Sequence, residues 1–274
     1  MPIPELPEVE TIKSQLSKFL PLEVEKVSFS SVSDSIVKEK DFIPKKGMTL
    51  KSVIRTGKVL RFFWSDDLRM ISGLGMSGSW RISDTFIEVK HTHVQIEGTH
   101  NGKKVFLGYV DPRRFGNIHF LNIENETEWL KRLGPDVSSP DYTWEYIWSL
   151  VKKKPLKVLK PLMLEQNIFA GIGNYMASEI CARAGIRPTR RMGKLTKADC
   201  KKLISATSSV LDDTITNGGT TFSGGYADAY GDKGEGVKNL VVFYQKVCGL
   251  CKETEVKKIT LAGRGTYYCP KCQK

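Results

Sequence analysis

The chain of 274 residues contains no apolar run approaching ~20 residues, so no membrane-spanning helix is expected. Its first residues lack a basic stretch followed by an apolar one, so no secretory leader is read and an intracellular protein is expected. No internal repeat is evident. Cysteines are few, six in all, and in an intracellular chain they serve metal binding more often than disulfides. Acidic residues are also short: 30 Asp+Glu face 42 Lys+Arg, for a net charge of +12 and a pI near 9.3. Such a basic surface suits a polyanion such as nucleic acid, because each neutralised phosphate releases counterions. A merely basic, well-solvated protein has the same balance, and charge alone does not separate the two. What remains, 40% apolar and 26% charged residues, is ordinary for a soluble globular protein with a real core. The length suits two or three domains.

Residues 7–21 read as a helix, with Val9, Ile12, Leu16 and Leu20 on one face. Pro7 suits a first helical position, and Glu8 and Glu10 suit the positive end of the helix dipole. From about residue 27 to 121 the text is strand-like. VLRFFW (59–64), MISGLGMSGSWRI (70–82) and HVQIEG (93–98) are bounded by turn residues, and Asn101-Gly102 is a hairpin signal. A sandwich or barrel built around the N-terminal helix is expected. Residues 134–141, GPDVSSPD, are turn chemistry and make a linker. Beyond them the period turns helical, with helices expected over 142–153 and 156–165. A third, capped by Asn174, runs to Ala184 with Gly185 as its stop, and a fourth is capped by Thr196 and ends at Gly218-Gly219. Residues 222–236 read as a long glycine-rich loop.

Cys248-Gly-Leu-Cys251 and Cys269-Pro-Lys-Cys272 are two CxxC pairs with 17 residues between them. Each pair can place two thiolates on one side of a tight turn, and two such turns close a tetrahedral Zn(II) site. A redox CxxC or two disulfides would use the same residues, but the paired units favour zinc. With four protein ligands the ion would be structural, stapling a hairpin too short to own a core. Between Lys238 and Lys274 eight basic residues face two acids, which fits a DNA-contacting module. Cys181 and Cys200 fall in expected helices without paired spacing and read as packing residues.

The segment PELPEVE (4–10) resembles the N-terminal signature of the formamidopyrimidine-DNA glycosylase family. LGMSGSWRI (74–82), DPRRFG (111–116), LGPDV (133–137), GIGNYMASE (171–179), NGGTT (217–221) and GRGTYYCPKCQK (263–274) resemble further family motifs, in the family's order and spacing. Together they are specific and cover the chain from residue 4 onward. The resemblance implies an α+β multidomain fold with three blocks: an N-terminal β-sandwich with an N-terminal helix (1–133), a helix–two-turn–helix domain with a lesion-recognition loop (134–236), and a zinc-finger β-hairpin (237–274). It implies a bifunctional glycosylase and abasic-site lyase of base excision repair, with damaged double-stranded DNA as partner, one structural zinc ion and a monomeric state. In a bacterium it would work at the nucleoid.

In this family an N-terminal proline attacks C1′ of the damaged nucleotide, forms a Schiff base, and β,δ-elimination cuts the strand. Pro4 matches that nucleophile and Glu5 the acid that assists ring opening. Lys58 matches the lysine near the lesion phosphate, and Arg264 the arginine of the phosphates and elimination steps. Met76, Arg113 and Phe115 resemble the wedge that replaces a flipped base, although on strands Met76 and Phe115 would also serve as core. His91, Lys160 and Asn174 match phosphate contacts, with Lys154 or Lys157 supplying another.

The chain departs from the family at its start, Met1-Pro2-Ile3-Pro4-Glu5. Removal of Met1 alone frees the amine of Pro2 and leaves the Pro4 nitrogen a tertiary amide without a nucleophilic lone pair. Initiation at codon 3, trimming of Pro2 and Ile3, or use of Pro2 itself would each restore the chemistry. Gly73 stands where many members have His, and Tyr175 after Asn174 is also seen in the related endonuclease VIII branch. PELPEVE and the 220–236 loop favour the formamidopyrimidine branch, which prefers oxidised purines. An endonuclease VIII-like enzyme for oxidised pyrimidines and an inactive, zinc-containing lesion binder are the alternatives.

Overall fold

The computed structural model describes residues 4–222 and 225–274. The chain forms two compact units, Met1–Arg132 with Asn217–Glu235, and Leu133–Thr216 with Gly236–Lys274.

The first unit opens with helix α1 (Leu6–Ser17), whose Leu6, Val9, Ile12 and Leu16 are buried. It stops before the expected end at Pro21, at Lys18. Nine strands follow: β1 (Leu22–Phe29), β2 (Val37–Glu39), β3 (Thr49–Thr56), β4 (Val59–Trp64), β5 (Arg69–Gly73), β6 (Ser79–Ser83), β7 (Thr92–His100), β8 (Lys103–Val110) and β9 (Asn117–Leu121). They hydrogen-bond in the order β2-β9-β5-β4-β3-β1-β7-β8-β6, and β2–β9 is parallel. The sheet folds into two facing layers. Strands far apart in that order touch through side chains: Trp80 Nε1 of β6 donates to Ser72 Oγ of β5 at 3.0 Å, Tyr109 of β8 donates to the Gly73 carbonyl, and the Phe62 and Trp80 rings lie 5.1 Å apart. The result is the expected sandwich. Asn101 and Gly102 both take positive φ, 50° and 74°, as a two-residue hairpin turn matched to strand twist requires.

The stretch 70–82, read as one strand, is broken at 74–78. Gly75 takes φ +60°, and a Cβ there would overlap the Phe115 backbone. The chain leaves the β5 ladder at this close approach and re-enters the other layer as β6. Helix α2 (Ile123–Leu130), capped by Asn122, closes the unit, and its buried Glu126 pairs with Arg61 at 2.8 Å.

The second unit is helical: α3 (Trp144–Lys153), α4 (Leu159–Met163), α5 (Asn174–Arg183) and α6 (Lys197–Thr216). Thr196 caps α6 as expected, its hydroxyl accepting from the Asp199 amide at 3.1 Å while its own amide donates to the Asp199 carboxylate. The helix stop at Gly185 also holds, with φ +71°. Asn174 differs from its expected role. Gly173 is the N-cap and Asn174 the first helical residue, so its side chain is free to reach elsewhere. A terminal hairpin, β10 (Lys257–Leu261) with β11 (Arg264–Tyr268), completes the unit. Cys181 and Cys200 are buried free thiols, as packing residues should be. None of the described helices is long and apolar enough to cross a membrane.

The tip of the β3–β4 hairpin is tied to α1 by Arg55, which donates to Glu10 at 2.8 Å and to the Gly57 carbonyl at 3.0 Å. Burial works against ionisation of Glu10, but the hydrogen bonds and charges of Lys13 and Arg55 outweigh it and hold its pKa below the ordinary 4.5. A depressed carboxylate contributes stability that is full above the unfolded-state value and lost as pH falls through the folded-state value. Glu10→Gln is therefore expected to cost about 1 kcal/mol at pH 7. The difference from wild type should close in urea melts taken progressively below pH 4.5; a constant difference down to pH 3 would refute the ion-pair account.

Candidate active site and zinc centre

Pro4 is buried immediately before the N-cap of α1. Pro2 lies outside the described residues. Glu5, fully enclosed, is the N-cap, an unusual use of glutamate made possible by a reciprocal capping box. Its carboxylate accepts the Glu8 amide, while the Glu5 amide donates to Glu8 Oε2 at 2.7 Å. The other Glu8 oxygen accepts the Thr220 amide at 2.7 Å. One buried carboxylate therefore joins the helix start to the segment 217–235. Gly219 packs against it with φ +81°, where a Cβ would press the Glu8 side chain at 3.1 Å.

Lys58 is half-buried in the two-residue turn between β3 and β4, behind Gly57 at φ +58°. It therefore sits at a hairpin tip, on the hairpin that Arg55 ties to Glu10.

Met76, Arg113 and Phe115 lie on two loops that buried Asp111 holds together. One Asp111 oxygen accepts from the Ser77 hydroxyl at 2.5 Å and the Arg113 amide at 3.3 Å, and the other accepts from the Gly116 amide at 2.8 Å. Phe115 is 55% exposed, with the Arg113 guanidinium 4.8 Å from its ring centre. Phe115 is thus no core residue, and Met76 is only half-buried. An exposed, cation-stacked ring on a braced loop is suited to insertion between bases. His91, exposed at φ +70°, precedes β7 and offers its carbonyl to the Asp111 amide.

In the second unit Lys160 shows no exposed ammonium, contrary to a simple surface phosphate contact. It is fully buried, and its Nζ donates to Asn174 Oδ1 at 2.6 Å and Thr266 Oγ1 at 2.9 Å. Asn174 Nδ2 donates in turn to the Gly265 carbonyl at 3.0 Å. Helices α4 and α5 thereby grip β11 beside Arg264, which is exposed just after a turn of two positive-φ residues, Ala262 and Gly263. Lys154 is half-buried at the C-cap of α3, and Lys157 is exposed with its ammonium 3.9 Å from Glu165.

Cys248, Cys251, Cys269 and Cys272 place their sulfurs within 4.8 Å of one another. Two of the separations are 4.0 and 3.9 Å, Cys248 to Cys272 and Cys251 to Cys269. A tetrahedron with Zn–S bonds of ~2.3 Å has edges of about 3.8 Å, so the donor set fits one zinc ion with no further ligand. Next to the site, the Gln273 side chain accepts the Cys269 amide at 2.7 Å and donates to the Ile186 carbonyl at 2.8 Å. The metal site is thereby anchored to the turn after α5.

Sequence reading overlooked the residues that brace this machinery: Glu8, Asp111 and Glu179. Glu179, fully buried, accepts the amides of Val241, Val242 and Phe243 at 2.8–2.9 Å. The signal for Glu8 was its position three residues after Glu5, the capping-box interval; for the other two only the fold reveals the partners.

The chain thus combines a two-layer β unit headed by a proline-glutamate helix start and a helical unit bearing a four-cysteine hairpin. Family models for the formamidopyrimidine-DNA glycosylase N-terminal domain, its H2TH domain and the zinc finger found in FPG and IleRS match residues 3–118, 133–224 and 246–274. The formamidopyrimidine-DNA glycosylase of Oceanobacillus iheyensis is 35% identical, covering 99% of this chain and 98% of the relative. Among solved structures, MutM in complex with DNA containing carbocyclic 8-oxo-G superposes with TM-score 0.85 at 28% identity, over 99% of this chain and 100% of that one. Wild-type Lactococcus lactis Fpg bound to DNA containing N7-benzyl-Fapy-dG gives the same score, identity and coverage. The chain belongs to the formamidopyrimidine-DNA glycosylase family.

Cys251→Ser is expected to lose zinc, measured by atomic absorption, and with it most DNA affinity, while the sandwich keeps its near-UV signal. Retained stoichiometric zinc would overturn the four-thiolate assignment.

Proposed function

We propose that this protein is a bifunctional DNA glycosylase and abasic-site lyase of base excision repair that removes 8-oxoguanine and formamidopyrimidines from double-stranded DNA. Family membership across the whole chain carries this reading. Solved relatives of this fold hold DNA with an 8-oxo-G analogue or a Fapy-dG derivative.

The chemistry assigned to Pro4 requires its nitrogen to be a chain terminus. An α-amino group titrates near ~8, so a useful fraction is neutral at cell pH. The secondary amine attacks C1′, the N–C1′ bond forms, and the glycosidic bond breaks with its electrons leaving on the base. Glu5, beside it, supplies the proton for opening of the sugar ring. The resulting cationic imine is an electron sink, which permits loss of the 3′ and then the 5′ phosphate by β,δ-elimination.

Lys58, on its pinned turn, is assigned to the phosphate of the lesion nucleotide. Arg264 is assigned to the phosphates and the elimination steps. Phe115, Arg113 and Met76 fill the gap left by the extruded base, whose loss of stacking costs a few kcal/mol. Asn174, at the positive end of the α5 dipole, His91, and Lys154 or Lys157 contribute phosphate contacts. Lys160 acts on phosphate through Asn174 and the β11 strand that it grips. The protein works as a monomer, and zinc supplies folding energy to the hairpin rather than reactivity.

Borohydride trapping on an 8-oxoguanine duplex, followed by mass mapping of the linked peptide, tests the assignment. An adduct on a terminal proline is expected, and its identity chooses between Pro4 and Pro2. Tight lesion binding without an adduct would mark a non-catalytic binder, and preferential nicking of a thymine-glycol duplex would mark a pyrimidine enzyme. Lys58→Ala is expected to slow excision of 8-oxoguanine by at least tenfold, the scale of a lost charge-assisted hydrogen bond, and to affect cleavage at a preformed abasic site less. Equal losses on both substrates would count against a lesion-specific role.

A further inference from the structure

Helix α1 contacts the 217–235 segment at two places. Near its start Glu8 holds the Thr220 amide. Two turns later, on the same face, Gln15 holds the segment again: its Nε2 donates to Asp228 Oδ2 at 2.6 Å and its Oε1 accepts the Ala229 amide at 2.8 Å. Residues seven apart on a helix share a face, so one rigid element sets both attachment points.

The second attachment is dense. Ser79 Oγ donates to the Ala227 carbonyl at 2.9 Å, and Arg81 donates to the Asp228 carbonyl. The Ile82 amide donates to the Ala229 carbonyl at 3.0 Å. The other oxygen of Asp228 accepts the amides of Tyr230 at 3.0 Å and Asp232 at 2.8 Å, folding its own turn. Asp228 is nearly buried and Ala229 fully so. This is more fixation than a solvent-facing connector needs.

We propose that Gln15 is a positioning residue for lesion recognition: by clamping Asp228 and Ala229 it holds the 217–235 segment in register with the helix that carries Pro4 and Glu5. The inference rests on the glycosylase reading above. Gln15 touches neither Pro4 nor Glu5, so its effect runs through the segment and α1. The demand falls on excision of a base, which must be recognised in place. A preformed abasic site presents no base and should be cleaved as before.

The test compares wild type with Gln15→Ala and Gln15→Glu. The second variant sets a carboxylate against Asp228 and should be the more severe. Single-turnover excision on an 8-oxoguanine duplex should fall about tenfold for Gln15→Ala, as expected for loss of a hydrogen bond to a charged group. Cleavage of an abasic duplex should stay within about twofold, and the melting temperature should barely move. Hydrogen exchange provides a readout independent of activity: the Ala229, Tyr230 and Asp232 amides should exchange faster in the variants, while the Thr220 amide held by Glu8 is unchanged. Equal losses on both duplexes, unaltered excision, or unaltered exchange would each overturn the proposal. A wild-type protein inactive on both duplexes would overturn the glycosylase reading itself, and this proposal with it, whatever the exchange shows; an active wild type with normal Gln15 variants would overturn the clamp alone.

Discussion

The arrangement of the first unit depends on the Glu8 carboxylate. Each of its oxygens takes one backbone amide, Glu5 on one side and Thr220 on the other. Helix starts leave amides unpaired, and a buried amide without a partner costs about 1–3 kcal/mol. Glu8 removes that cost at two places with one side chain and fixes the distance between them. The neighbouring constraints follow. Residue 219 must be glycine to lie against the carboxylate, Glu5 must face the helix end, and the residue before it is set at the mouth of α1. Replacing this carboxylate by an apolar group would leave both amides buried and unsatisfied.

The second unit uses a related principle with a cation at its centre. Lys160 is surrounded by oxygen acceptors rather than water, and this enclosed ammonium ties α4, α5 and β11 to one another. The zinc ligands and Gln273 make a second tie, from the metal loops to the turn behind α5. A two-stranded hairpin alone is marginal in water. Structural zinc contributes on the order of 10 kcal/mol of folding energy in small domains. The polar ties then decide where the tip bearing Arg264 is held, which apolar contact alone does not specify.

Local chemistry was legible in the sequence. The α1 face, the Asn101-Gly102 turn, the Thr196 cap and the four zinc ligands each depend on residues within a few positions of one another, or on a spacing that a tetrahedral ion imposes. What escaped depends on partners distant in the chain. Residues 70–82 alternate like one strand, and only the approach of the Phe115 backbone to Gly75 shows why they must split. Asn174 has the composition of a cap, but its amide reaches Gly265. Lys160 looks like part of a solvated lysine run, yet it is the one drawn inside. Residues 222–236 have the composition of a free loop, and nothing local announces that Gln15 holds Asp228 and Ala229.

The long-range ties of α1 bear on how the chain acquires its structure during synthesis. Glu8 and Gln15 bond to residues 212 to 214 positions later. While the ribosome is still making the helical unit, all strands of the sandwich have been made, but its apolar core lacks Tyr226 and Ala229 and α1 presents a polar face without its final partners. The first unit to begin emerging is therefore completed only after the helices of the second have been made. Contacts of this separation close slowly, because loop-closure entropy is spent before they form. The surroundings of Pro4 and Glu5 are thus assembled late, after most of the chain has been translated.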